Sequence, residues 1–202
     1  MIFKLKIGVV LTMLLFAAAA HALDFSLMKP KVEFSAVMTI ETGEGSVVTK
    51  VYRADQMERE EMEMSGMKSV SVIRFDKGIT WNWEVMPFLP KEYDETRFNP
   101  TPDDSRPKEY SITEQTVVGK EIVNGLETTK TKVVISGKKG KYAGFMWTTD
   151  SGITVKTDVL SVGANKKERM RMELNDIKIG KIDRALFEVP PGYKKGSGLR
   201  GW

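Results

Sequence analysis

The sequence has no cysteine and only one histidine, His21. Without cysteine there is no disulfide framework, no thiol nucleophile and no thiolate metal site. A bacterial lipid anchor also needs a cysteine at the first mature position, so that route is closed too. His21 falls inside a segment that reads as a cleavable leader, which leaves the mature chain without imidazole. A Ser-His-Asp triad and an ordinary zinc site are then excluded. The chain also lacks a phosphate-binding GxxxxGK[ST] loop and a GxGxxG fingerprint. The glycines at 137 and 140 sit in a hairpin turn, not between a strand and a helix. Nothing shows sustained heptads, a repeat or low complexity.

Long apolar runs are confined to the N-terminus. Lys4 and Lys6 precede an apolar stretch from Ile7 to Ala20, followed by Ala20-His21-Ala22, a small-x-small cleavage pattern. This reads as a secretory signal peptide over residues 1–22. The apolar stretch spans 14 residues, shorter than the ~20 that cross a bilayer as a helix. Cleavage would leave 180 of the 202 residues, enough for one domain with a core. It would also lower the basic count from 31 to 29 against 27 acids, a net charge of +2 in place of +4. That balance gives no footprint for nucleic acid. The expected product is soluble, and periplasmic or secreted.

What the chain does have is strand pattern. Residues 32–41 alternate, with Phe34, Ala36, Met38 and Ile40 on one side. Residues 46–53 follow a Thr42-Gly43-Glu44-Gly45 turn. Residues 56–64 are good helix formers, yet their Glu/Met alternation predicts a strand. Residues 68–75 and 79–85 predict a hairpin through a three-residue Asp76-Lys77-Gly78 loop. That pairing sets Ile73 opposite Trp81 and Ser71 opposite Trp83. One face then carries the two tryptophans and the other carries Arg74. The spacing of Trp81 and Trp83 places both on one side of the strand. Residues 87–107 hold five of the eight prolines and predict an irregular crossing with a short edge strand at 91–95. Further strands are expected at 116–123 and 126–136 around Asn124-Gly125. More follow at 142–148, 153–160, 167–174 and 177–179. Asp183 caps one helical turn burying Leu186 and Phe187. Residues 189–193 end regular structure, and 196–202 form a flexible tail. Nine to eleven such strands indicate an all-β sheet or barrel.

Carboxylates cluster at Glu58, Glu60, Glu61 and Glu63, and at Asp103-Asp104. They would suit calcium or glycoside chemistry, but no EF-hand spacing supports the former and a solvated face is the simpler reading. Basic clusters at 138–141, at 166–171 and at Lys194-Lys195 suit either solubility or transient contact with anionic headgroups. The mature chain keeps ten methionines, four tryptophans, seven phenylalanines and five tyrosines. Methionine fills irregular cores and also suits surfaces that accept varied apolar ligands.

Several segments resemble one family in order and spacing. They are Arg59-Glu60, residues 73–78 (IRFDKG), Trp81, Lys91-Glu92-Tyr93, Gly119-Lys120-Glu121, Val123-Asn124-Gly125, Trp147 and residues 186–193 (LFEVPPGY). The chain is similar, over about 35 to 195, to secreted bacterial proteins with an outer-membrane lipoprotein carrier (LolA/LolB)-like domain. The resemblance implies a single domain over residues 23–195. It implies a mainly β fold: a strongly curved antiparallel sheet forming an incomplete, half-open barrel with one or more short helices. It also implies a concave face for lipid or lipoprotein acyl chains, with Arg53 and Arg74 as candidates for the carrier's cavity arginine.

The sequence therefore predicts a non-catalytic binding protein for an apolar ligand, without cofactor or metal. The expected ligand-binding residues are Trp81, Trp83, Met62, Met64, Phe88, Met146 and Arg74, with residues 87–107 as a cover. The other reading is a structural or protein-interaction module of the cell envelope, in which the same residues fill a closed core and an envelope protein is the partner.

Overall fold

The computed structural model describes residues 30–64, 66–85, 87–88, 90–99, 110–137, 140–163 and 167–196. The expected signal peptide, most of the proline-rich crossing and the tail beyond residue 196 lie outside these.

Twelve strands form one sheet. They are β1 (Phe34–Thr42), β2 (Gly45–Ala54), β3 (Met57–Met64), β4 (Met67–Arg74), β5 (Ile79–Val85) and β6 (Glu92–Arg97). They continue as β7 (Tyr110–Val123), β8 (Leu126–Gly137), β9 (Gly140–Thr148), β10 (Thr154–Val162), β11 (Arg169–Ile179) and β12 (Lys194–Lys195). The order across the sheet is β12-β6-β5-β4-β3-β2-β1-β11-β10-β9-β8-β7. Every pairing is antiparallel except β12 on β6. The edges β12 and β7 do not meet, so the sheet stays open, the mainly β architecture expected from the sequence. The one helical element among the described residues is a 3₁₀ turn, Arg184–Phe187, capped by the Asp183 side chain accepting from the Ala185 N–H.

The sheet is curled. Asn124, in the β7–β8 turn, donates through Nδ2 to the Leu174 carbonyl on β11 at 2.7 Å. Strand β8 is three ladder steps from β11, ~14 Å in a flat sheet, so the strands between must roll to bring the two together. Gly144 on β9 shows how tightly. A Cβ there would lie 2.1 Å from the Asp158 carbonyl oxygen on β10, a close backbone approach of the kind that selects glycine within a strand.

Two apolar clusters lie on opposite faces. The larger, on what we term the inner face, draws Phe34, Ala36, Ile40, Val51, Val133, Ile135, Met146, Val155, Val159, Met170, Met172 and Leu174 from β1, β2 and β8–β11. The smaller, on the outer face, holds Val70, Val72, Ile79, Trp81, Trp83 and Phe187 from β4, β5 and the 3₁₀ turn. Strand β2 serves both. Its Val47 and Val51 pair with Ile40 and Ala36 on the inner face, while Tyr52 and Ala54 point the other way and pack on the second cluster.

Two expectations are corrected. The β4–β5 loop has four residues, 75–78, not three. Arg74 therefore pairs with Ile79, Val72 with Trp81 and Val70 with Trp83. This one-residue slip inverts the side-chain faces of β4 and puts Arg74 on the tryptophans' side. Phe75 leaves the ladder and meets Phe98 edge-on, with ring centroids 6.0 Å apart. Regular structure also continues beyond 189–193. Lys194 and Lys195 add to β6 as a parallel pair, with Lys194 N–H on Lys91 O at 2.8 Å and Gly196 N–H on Tyr93 O at 2.9 Å. Strand β6 would otherwise offer an unpaired edge, which readily takes up a further strand.

Candidate functional site

The residues expected to line one site divide into three places. Trp81, Trp83 and Arg74 share the outer face. Met62 and Met64 lie on the inner face of β3, because Met62 pairs with Thr49, which pairs with Met38. Met146 is also on the inner face, buried in the large cluster at β9. Phe88 stands in the turn after β5 and is 96% exposed.

The outer-face group is covered by the chain's own C-terminal segment. Phe187 is fully buried on Val70, Val72 and the tryptophans, and Leu186, Val189 and Tyr193 pack around it. Tyr193 meets Trp83 edge-on with centroids 6.0 Å apart. Two buried arginines fasten the segment. Arg59 donates to Leu186 O at 2.8 Å and to Glu61 at 2.7 Å, and its guanidinium lies 5.3 Å from the Trp83 ring centroid. Arg74 donates to Phe187 O at 3.3 Å, forks onto both Asp76 carboxylate oxygens at 2.8 and 2.6 Å, and pairs with Glu188. Planar guanidinium suits this bidentate geometry.

Trp81 donates to Glu95 at 3.2 Å, and Lys195 reaches the same carboxylate at 3.0 Å. The Arg74 hydrogen bond holds the Asp76 carboxyl below its ordinary range. Burial works against ionisation of Glu61, but hydrogen bonds from Lys68 and Arg59 outweigh it and the net direction is down. Glu188 behaves alike, with Lys77 and Arg74 overcoming desolvation. Every charge in this group has a partner, so its chemistry is fastening.

The inner face is different. Ladder partners form rows across it: Met62–Thr49–Met38–Leu174 and Ile40–Met172–Thr157–Met146–Thr131. Six methionines, at 38, 62, 64, 146, 170 and 172, share this face. Threonines interrupt them. Thr148 and Thr154 face each other at 3.4 Å, whereas the Thr157 hydroxyl is buried without a hydrogen-bond partner. Arg53 sits where the face turns polar, 2.6 Å from Glu60 and 3.6 Å from Glu58. The carboxylate cluster of β3 is thus largely ion-paired, and no group of three or more metal-type ligands occurs among the described residues.

On the opposite side, Lys130 and Lys156 flank Trp147 in one row, with ammonium groups 5.0 and 5.4 Å from its ring centroid. The Trp147 indole donates to Glu121 at 2.7 Å. Lysine stems covering an outward tryptophan in this way shield it from water.

Sequence reasoning gave no role to Arg59, Glu188 or Thr157. For Thr157 a signal existed: Val155, Thr157 and Val159 alternate, so a hydroxyl stands among apolar residues on a buried face. Glu188 follows Phe187 at the end of the capped turn, but nothing local links it to Arg74.

The described residues thus form an open, curled, mainly antiparallel sheet bearing one short turn of helix. The chain is similar to PNGF-II, with 12% identity, 82% of this chain and 31% of that one covered, and a TM-score of 0.46. It is similar to MucB in its complex with MucA(peri), with 13% identity, coverage of 87% and 60%, and a TM-score of 0.47. It is also similar to a putative outer membrane lipoprotein-sorting protein domain from Vibrio parahaemolyticus, with 10% identity, coverage of 84% and 94%, and a TM-score of 0.31. The chain thus spans about a third of PNGF-II and 60% of the MucB chain. No family model and no curated protein matches the sequence. Among the described residues no helix is long and apolar enough to cross a membrane.

Proposed function

We propose that this is a non-catalytic binding protein of the periplasm or the secreted space, and that its inner face takes up an apolar ligand such as a lipid or an acyl chain. The observation that carries the reading is the placement of six methionines on one continuous face of the sheet. Methionine has three rotatable bonds and a polarisable sulfur, so such a face re-packs around varied apolar shapes where a leucine face would resist. Burial of apolar surface, at about 25 cal/mol per Å², is the driving force. Met62 and Met64 extend the apolar floor along β3, and the same face turns polar at Glu60 and Glu58 of that strand and at Arg53 of β2, where a polar head would sit. Trp81, Trp83 and Arg74 then serve the fold, through the C-terminal segment, more than the ligand.

The test is solvent extraction and mass spectrometry of protein purified from its native compartment, with titration of N-phenyl-1-naphthylamine. Co-purifying acyl lipid and saturable binding are expected. Protein that carries no lipid and binds no probe would sink the reading.

One observation favours a second reading, a module that meets an envelope protein. Strand β7 pairs with β8 on one flank, and its Val117, Val118 and Ile122 are 67%, 57% and 79% exposed. An extended segment of a partner would add there as a further strand. A photo-crosslinker at position 118 that captures one defined envelope protein supports this reading; labelling no different from that at Lys178 counts against it.

A further inference from the structure

Thr157 occupies the middle of β10, and its ladder partners on the two sides are Met172 and Met146. The residue is 0% exposed, and its Oγ1 is the one buried side-chain polar atom among the described residues that has no hydrogen-bond partner. Its neighbours along the same face, Val155 and Val159, are fully apolar and equally buried. Buried threonine hydroxyls elsewhere in the sheet find partners: Thr128 donates to Glu121 O at 2.7 Å, and Thr148 and Thr154 meet each other. Valine would match Thr157 in shape without stranding a donor, so the hydroxyl is unfavourable for folding alone.

Both flanking side chains are methionines. Their flexible thioethers are the groups on this face best able to withdraw and open a path to the hydroxyl. We infer that Thr157 is the polar anchor of the inner-face site, its hydroxyl donating to an oxygen acceptor on an otherwise apolar ligand: the carbonyl of an acyl ester. The inference rests on the inner-face reading above and adds a chemical class to it. A pure hydrocarbon would leave the hydroxyl unpaired. An ester placed with its carbonyl between Met146 and Met172 would satisfy it and leave the chain on the methionine floor.

The experiment compares wild type, Thr157→Val and Thr157→Ser in the full mature chain. Two probes are used: N-phenyl-1-naphthylamine, which offers no carbonyl, and methyl decanoate carrying ¹³C at its carbonyl. Methyl decanoate should bind Thr157→Val about fivefold more weakly than wild type, the worth of one neutral hydrogen bond. Thr157→Ser should restore it. Naphthylamine binding should be unchanged in all three. The labelled carbonyl stretch of the bound ester should sit lower in wild type and Thr157→Ser than in Thr157→Val.

Equal ester affinity and an equal carbonyl stretch in all three, with both probes bound, would overturn the anchor and leave the apolar-site reading standing. Failure of wild type to bind either probe would overturn both. Thermal melting adds a second check, because a partnerless hydroxyl predicts that Thr157→Val is at least as stable as wild type. A clearly less stable valine variant would show the hydroxyl to be satisfied within the fold, and would also overturn the anchor.

Discussion

Arg59 on β3 donates to the main-chain oxygen of Leu186 at 2.8 Å across 127 residues of sequence. One guanidinium thereby joins the middle of the sheet to the C-terminal segment. The same group stacks on Trp83 and pairs with Glu61, so its removal strands the Leu186 carbonyl and leaves Glu61 to Lys68 alone.

Replacing Arg59 with methionine should destabilise the protein by about 3 kcal/mol, the lower end for breaking a buried pair, since Lys68 still neutralises Glu61. Urea unfolding monitored by circular dichroism measures it. A loss indistinguishable from that of an exposed pair such as Lys120–Glu127 would refute the fastening role.

Acid should loosen the same region. Asp76, Glu61 and Glu188 all have folded pKa values below their ordinary 3.8, 4.5 and 4.5. A carboxyl with a depressed folded pKa contributes fully above the ordinary value and loses its contribution as pH falls through the folded one. The urea midpoint should therefore be flat above about pH 5 and fall progressively below about pH 4.5. A midpoint that rises on acidification would contradict these pairings.

Truncating Phe187 to alanine empties the space between the C-terminal segment and β4–β5. A loss of about 3–5 kcal/mol is expected for a fully buried aromatic. Tryptophan emission should shift to the red as water reaches Trp81 and Trp83, and trypsin should cut earlier after Lys194. Unchanged emission would mean the tryptophans do not depend on this cover.

Gly144→Ala probes the curl. The added carbon would meet the backbone oxygen of Asp158 at 2.1 Å. Main chain cannot rotate aside as a side chain does, so a cost of about 2 kcal/mol or more is expected. A variant that melts with wild type would imply that β9 and β10 are less closely wound at this point.

Much of the sheet is legible in the sequence because alternation is a strong signal where one face is buried. Phe34, Ala36 and Ile40 mark β1 by period two alone. Asn124 and Gly125 announce their hairpin because its turn needs positive φ at both, and they adopt 49° and 79°. The β4–β5 register was not legible. Asp76-Lys77-Gly78 looks like a complete three-residue loop, but the Phe75–Phe98 contact and the Phe75 N–H bond to Gln56 O draw Phe75 into it. That slip hid the place of Arg74 beside the tryptophans.

The expected site was legible only in part for a similar reason. Alternation tells which residues share a face within one strand. It says nothing about which face of a neighbouring strand is covered, so Met62 and Trp81 looked like partners although they lie on opposite sides. The C-terminal segment was hidden because its partners, Arg59, Arg74 and β6, are about a hundred residues away.

Strand β2 has core on both sides, Val47 and Val51 toward one cluster and Tyr52 and Ala54 toward the other. A residue added to a strand with one wet face can be absorbed by a bulge at modest cost. Here the same addition would present each half of the molecule with the other half's side chains. In a library of single-residue insertions, positions 47–54 should form the deepest trough of viable sequences, beside a more permissive hairpin tip at 43–44. The evolutionary freedom of the chain would then lie at its turns and outer edge, with β2 as the segment that divergence alters last.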